Sequence, residues 1–214
     1  ANDFVYAWQR IIKNSGNYAY MLGSDGAKVK GADELMAKQA ELGEGEELTQ
    51  DDLNTLQAVA VDDKTFQVTL TSPVSYFEEL MTFPCYYPIN QKFCEEKGAE
   101  YAKSAENVLS NGAFIMETWE PGRQATFSKN ENYWNADAVN LDNLVQEPEV
   151  AATAFDNGET QFALINSELV DKYKDSESYK RIKEGYLFYL QLNFGNSDLQ
   201  NLNLRKALSY AINR

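Results

Sequence analysis

VLSNGAFIMETWEPGRQATFSKNENYWNAD, residues 108–137, is the stretch whose reading decides the fold. Ser110-Asn111-Gly112 is a turn triplet, because Asn and Gly tolerate positive φ, and Phe114 and Met116 then share one strand face. Glu120-Pro121-Gly122-Arg123 sets Pro and Gly at the second and third positions of a type II turn. Ala125 and Phe127 resume the period of two, so the spacing predicts a β-hairpin over 113–128. The cluster of Asn, Tyr and Trp that follows, KNENYWN, offers no acid or base suited to catalysis at neutral pH.

Upstream, the period changes from helix to strand and back. Phe4, Trp8, Ile11 and Ile12 lie at helical spacing after an Asn2 or Asp3 cap, and a second helix is predicted from Gly31 to Leu42, broken by Gly43-Glu44-Gly45. Thr49-x-x-Asp52 is a capping-box pattern. Val59 and Val61 alternate with Ala58 and Ala60, Asp62-Asp63-Lys64 turns, and Phe66, Val68 and Leu70 alternate with Gln67 and Thr69, which predicts a hairpin over 57–71. Ser72-Pro73 reads as a cap followed by proline at the first helical position, with Val74, Phe77, Leu80 and Met81 as the buried face until Pro84. A further helix stops at Gly98, and the polar residues 103–107 form a weak seam.

Downstream, Leu141 to Glu147 suits a strand, VAATAFDNGE a short helix closed by Gly158, and QFALI (161–165) a buried strand. Asn166 or Ser167 caps a helix carrying Leu169, Val170 and Tyr173, and YLFYLQLNF (186–194) reads as a long strand. In the last segment Leu204, Ala207, Leu208, Ala211 and Ile212 form one helical stripe. The expected fold class is mixed α/β, of the α+β kind. The first residues lie already inside a helical pattern, and no stop signal precedes Arg214. The expectation is a piece cut from a longer protein.

Bulk properties narrow the function. The formal charge of −14, from 33 acidic and 19 basic residues, argues against nucleic acid, which needs clustered Lys and Arg. With no histidine, the commonest general base, the Ser-His-Asp and Cys-His arrangements and mixed Cys/His metal sites are removed. No carboxylate pair is singled out by spacing for glycosidase work. Neither catalytic chemistry, a metal nor a cofactor is expected. Cys85 and Cys94 match no familiar zinc or redox spacing; two unrelated thiols are favoured over a short-loop disulfide. No stretch reaches the ~20 apolar residues of a membrane span.

Taken in order, NDFVYAWQR, VDDKTFQVTLTSPVSYF, SNGAFIMETWEPG, KNENYWNAD, LDNL, AFDNGE and LNLRKALSYAINR resemble the extracellular solute-binding proteins of the oligopeptide-binding type, family 5, the two-lobed receptors of peptide ABC transporters. The resemblance implies a periplasmic-binding-protein-like receptor of which this chain is an internal part. Residues 1–107 would be the accessory subdomain of lobe one, 108–187 part of lobe one itself, and 188–214 the crossover strand and start of lobe two. It also implies capture of short peptides in the cleft between lobes and delivery to a membrane permease. The setting would be the extracellular face of the envelope or the periplasm, with the membrane reached only through a lipid anchor outside these residues. A receptor for oligosaccharides or another small solute on the same scaffold is the alternative. KNENYWN then reads as scaffold, with Trp134 and Tyr133 burying area and Asn130 and Asn132 satisfying backbone groups, in preference to a sugar-stacking platform.

Alternation projects Tyr189, Gln191 and Asn193 to one face of their strand and Leu190 and Leu192 to the other, a pattern that a half-exposed strand also produces. The resemblance turns those three into ligand candidates, because the family's crossover strand lies beside the extended peptide and pairs with its backbone. Related receptors can carry Glu where Gln191 stands, so a charged contact becomes a neutral hydrogen bond. Tyr18 in GNYAYML matches an aromatic that approaches the peptide; packing in the core competes with that role, and Tyr20 competes for the alignment.

Overall fold

The computed structural model describes residues 1–146, 151–183, 185 and 189–212. The chain divides into two compact units, Ala1–Leu164 and Ile165–Arg214.

The first unit is organised by α1, Asn2–Lys13, which buries Ala7, Trp8 and Ile12. Asp3 in its first turn and Arg10 and Lys13 in its last complement the helix dipole. The cap expected at Asn2 or Asp3 is instead Ala1, with no side-chain bond. Asp3 is committed elsewhere: its Oδ1 accepts from the Gln91 backbone N–H at 3.0 Å and its carbonyl from that of Ile89 at 3.3 Å. Trp8 is fully buried, edge-on to Phe66 (5.0 Å, 90°) and Tyr86 (5.5 Å), and its Nε1 donates to the Tyr86 carbonyl at 3.1 Å. Around it pack Leu22, Val29, Leu35, Leu53, Leu56 and Ala58.

Helix α2, Ala32–Glu41, starts at Gly31, whose φ of +91° lies in the left-handed region. A Cβ there would stand 2.6 Å from the Thr55 carbonyl oxygen. Gly31→Ala therefore meets both backbone strain and a backbone clash, and is expected to cost about 1–3 kcal/mol. A shift of the urea midpoint to lower denaturant checks it; an unchanged midpoint removes the strain.

Helix α3, Gln50–Leu53, carries the expected capping box: Asp52 N–H donates to Thr49 Oγ1 (3.2 Å) and Thr49 N–H to Asp52 Oδ2 (3.0 Å). Lys38 Nζ donates to Asp52 Oδ1 at 2.6 Å, and this bond, followed by those from Thr49, holds the Asp52 carboxyl down at about 2. A depressed folded pKa stabilises above the unfolded value, near 3.9, and the contribution is lost as pH falls through about 2. Asp52→Asn is expected to flatten the stability profile between about pH 4 and 2; parallel urea titrations of both proteins across that window check it.

Strands β1, Ala58–Ala60, and β2, Phe66–Val68, form the first hairpin, with Ala58 opposite Val68 and Ala60 opposite Phe66. Asp62 makes the turn by accepting from the Lys64 and Thr65 N–H groups, both at 2.8 Å. Its alanines face inward, and Val59 and Val61 are exposed. The helix expected from Pro73 is shorter: α4 spans Phe77–Leu80, Tyr76 stands at its N-cap position without a side-chain bond, and residues 72–76 are not helical. Val74 and Ser75 are poor helix formers, and one turn of backbone bonding is all that Phe77, Leu80 and Met81 need to reach the core. After a 3₁₀ turn at Pro84–Tyr86, α5 runs Gln91–Lys97, capped by Asn90 and stopped at Gly98 with φ +53°. Both cysteines are free; burial pushes the Cys85 thiol up to about 11.

Strands β3 (Phe114–Glu120), β4 (Gln124–Lys129) and β5 (Asn143–Gln146) make an antiparallel sheet in that order. Gly122, at φ +76°, and the Arg123 N–H to Glu120 carbonyl bond of 3.0 Å close the expected turn. A bulge at Glu117 lies between the Met116–Phe127 and Thr118–Thr126 pairs, and it sets Trp119 opposite Ala125. Asn130 is buried as expected of a scaffold residue, donating from Nδ2 to the Gly112 carbonyl (2.8 Å) and accepting from the Asn132 N–H (3.0 Å). Trp134 is not: it is 84% exposed, its ring tilted 5.7 Å from Tyr133, because the turn that Asn130 locks carries the indole away from the sheet. Helix α6, Ala151–Asp156, is followed by Gly158 at φ +75°. The strand expected at 161–165 is absent, and Phe162 and Leu164 are exposed. An apolar run specifies burial against some neighbour, not a hydrogen-bonded ladder.

The second unit holds α7, Val170–Tyr173, preceded by Asn166, whose Oδ1 accepts from the Glu168 (3.1 Å) and Leu169 (3.2 Å) N–H groups. A 3₁₀ turn at Asp198–Gln200 leads to α8, Leu202–Ala211. The strand expected over 186–194 is not formed in its described part, 189–194; residues 186–188 lie outside the described residues. Tyr189 and Leu190 are both exposed and Leu192 is partly buried, so the apolar face of the alternation is only partly covered. Strand geometry needs a partner to pair with, and alternation does not supply one.

Candidate functional site

The second unit carries three of the four candidate residues on one short segment, anchored from its C-terminal side. Asn201 caps α8 by accepting from the Asn203 (2.9 Å) and Leu204 (3.4 Å) N–H groups. One turn on, Arg205 Nη1 donates to the Leu199 (2.9 Å) and Gln200 (2.8 Å) carbonyls, and its guanidinium lies 4.7 Å over the Phe194 ring. Gln200 Nε2 donates to the Phe194 carbonyl at 3.1 Å. Asn193 then turns the chain: its Oδ1 accepts from the Gly195 N–H (2.9 Å) and its carbonyl from that of Asn196 (3.1 Å).

Out from this knot run Gln191 and Tyr189, both exposed, the tyrosine at 73%. Asn193 is exposed, with its side-chain oxygen committed to the turn. No strand pairs with 189–193 among the described residues. Tyrosine, amide and backbone groups of this kind bind by stacking and neutral hydrogen bonds.

Tyr18 belongs to the first unit, just before a 3₁₀ turn at Ala19–Leu22. It is half-exposed, edge-on to Phe83 at 5.1 Å and tilted 6.4 Å from Tyr20. The stretch GNYAYML thus contributes two exposed aromatics, not one. Sequence reasoning did not single out Phe83, Phe194 or Arg205. The Phe83-Pro84 step and the Arg in LNLRKAL were the available signals, but ring and guanidinium contacts across a turn leave no periodicity to read. Among the described residues no group of His, Cys, Asp and Glu side chains is arranged to hold a metal ion, and no helix is long and apolar enough to cross a membrane.

The model of the bacterial extracellular solute-binding proteins, family 5 Middle, matches residues 1–214. The chain belongs to this family. Among curated relatives it is 31% identical over 226 residues to the oligopeptide-binding protein OppA of Bacillus subtilis, and 28% identical over 220 residues to the dipeptide-binding protein DppE of the same organism. Each comparison covers 100% of this chain and 38% of the relative, so the chain spans about two fifths of their length. The solved structure of the pheromone receptor PrgZ, described with its mode of peptide binding, superposes with a TM-score of 0.80 at 28% identity, covering 100% of this chain and 41% of that one. The mixed helix and strand architecture is therefore that of part of a family 5 solute-binding protein.

Proposed function

We propose that this chain is part of the substrate-binding component of an ABC transporter, which captures short peptides between two lobes and delivers them to a membrane permease without bond chemistry. The observation that carries this reading is the family match over the full 214 residues, joined to relatives named for dipeptide and oligopeptide binding. On this reading residues 1–107 are the accessory subdomain, 108–187 belong to lobe one, and 188–214 cross into lobe two. The protein works at the extracellular face of the envelope, lipid-anchored, or in the periplasm.

The ligand segment is Tyr189–Asn193. Its backbone offers the N–H and C=O groups common to every peptide, which accounts for tolerance of sequence, and Tyr189, Gln191 and Asn193 add side-chain contacts. Tyr18 supplies an aromatic face from the accessory subdomain. In the full-length receptor, Gln191→Ala or Tyr189→Ala is expected to weaken peptide binding two- to tenfold, the range that follows from a net hydrogen bond of about 0.5–1.5 kcal/mol. Isothermal titration with mixed short peptides, and in parallel with oligosaccharides, checks it. Unchanged peptide affinity in both variants moves the site off this segment, and saturable binding of oligosaccharide alone replaces the peptide reading.

A further inference from the structure

We infer that Arg205 is a positioning residue that sets the direction in which the segment Tyr189–Asn193 is presented, an inference that rests on the peptide-binding reading of that segment. Arg205 itself lies on α8 and has no place in the proposed ligand contacts. One of its guanidinium nitrogens serves two carbonyls, those of Leu199 and Gln200, and its central carbon lies 4.7 Å over the Phe194 ring. Those carbonyls belong to the last two residues of the 3₁₀ turn at Asp198–Gln200, so Arg205 ties the end of that turn to α8. Gln200, held in this way, returns a bond to the Phe194 carbonyl, and Phe194 is the residue that follows Asn193. The turn is completed by Asn193 and Asn196, whose side-chain oxygens accept from the Gly195 and Asp198 N–H groups, both at 2.9 Å.

The result is a short closed circuit: α8 through Arg205 to the turn, and the turn through Phe194 and Asn193 to the ligand segment. Each joint is a hydrogen bond or a ring contact between named atoms, and the rigid member is a ten-residue helix capped by its own Asn201. A segment that gains no order from a neighbouring strand must take its direction from its anchor. Guanidinium suits the task, because it stays charged at every accessible pH and is planar, so a single side chain both stacks and donates. Arg205→Ala removes both joints at once. Arg205→Lys keeps a positive donor near the two carbonyls but loses the plane over Phe194.

The test uses the full-length receptor and two readouts, peptide affinity and amide hydrogen exchange over residues 193–201. Arg205→Ala is expected to lower affinity for a mixed short peptide about tenfold, with the loss in a faster dissociation rate. Its unfolding midpoint should stay close to that of the parent, and exchange over 193–201 should quicken. Arg205→Lys should fall between the two. Unchanged exchange in Arg205→Ala overturns the inference whatever happens to binding. So does quickened exchange with unchanged affinity, which would make the circuit structural only. A parent receptor that binds no peptide overturns the proposed function instead, and is recognised before any variant is compared.

Discussion

Trp8→Ala is expected to destabilise the first unit by about 3–5 kcal/mol, a large part of the stability of an ordinary domain. The indole is fully buried and sits where α1, the β1–β2 hairpin and the Pro84–Tyr86 turn meet. Its removal opens a cavity lined by Phe66 and Tyr86, and it also strips the Tyr86 carbonyl of the donor at Nε1. The loss propagates: Tyr86 is the strut whose hydroxyl donates to the Met21 carbonyl at 2.5 Å, tying the Ala19–Leu22 turn to the core. Trp8→Phe refills most of the cavity without restoring the hydrogen bond, so it should be less damaging and separates the two contributions. Urea unfolding followed by far-ultraviolet circular dichroism reads both. A loss under 1 kcal/mol in Trp8→Ala would show that the three elements hold together without this side chain.

Features whose causes lie within a few residues were legible in the sequence. The Thr49–Asp52 capping box and the Asn130 bond to the Asn132 N–H depend on side chains that satisfy the backbone beside them, and the Pro121-Gly122 turn and the Gly98 and Gly158 stops on the dihedral range of the residues themselves. Both hairpins were legible for the same reason, since a turn of known chemistry fixes which residues face each other. Features decided by distant partners were not. Asp3 looks like a cap but bonds Gln91, 88 residues away. Trp134 has the size of a core residue, yet the turn at Asn130 carries it into solvent. QFALI and residues 189–194 have the apolarity or alternation of strands, but a strand is a relation between two segments, and only one of them is in the pattern. The candidate site inherits this limit. Its three residues on one segment are proposed from alternation and family likeness, and the strand behind that alternation is not formed at 189–194, whereas the Arg205–Phe194 joint beside them is a three-dimensional contact that no pattern announces.

The 214 residues alone are expected to bind short peptides only at millimolar concentration or weaker, about a thousandfold or more below micromolar capture, or at least 4 kcal/mol. Association costs an estimated 4–15 kcal/mol in lost motion before any contact is counted. A site that offsets this cost encloses its ligand and uses polar groups from several sides. Here all four candidate contacts are half-exposed or more, and the chain spans about two fifths of the length of its peptide-binding relatives. A peptide laid on Tyr189–Asn193 would keep most of its surface in water, so each hydrogen bond formed would replace one to solvent and yield little. The same exposure predicts self-association. Helix α8 buries none of its residues, and Leu204 and Leu208, one turn apart on one face, are exposed, an apolar stripe able to pair with a second copy. Sedimentation across a concentration series and peptide titration of the same sample test the two halves together. Micromolar binding by a monodisperse monomer would show that the contacts within these residues suffice, and it would move the proposed site from a cleft between two lobes to a surface that this chain forms by itself.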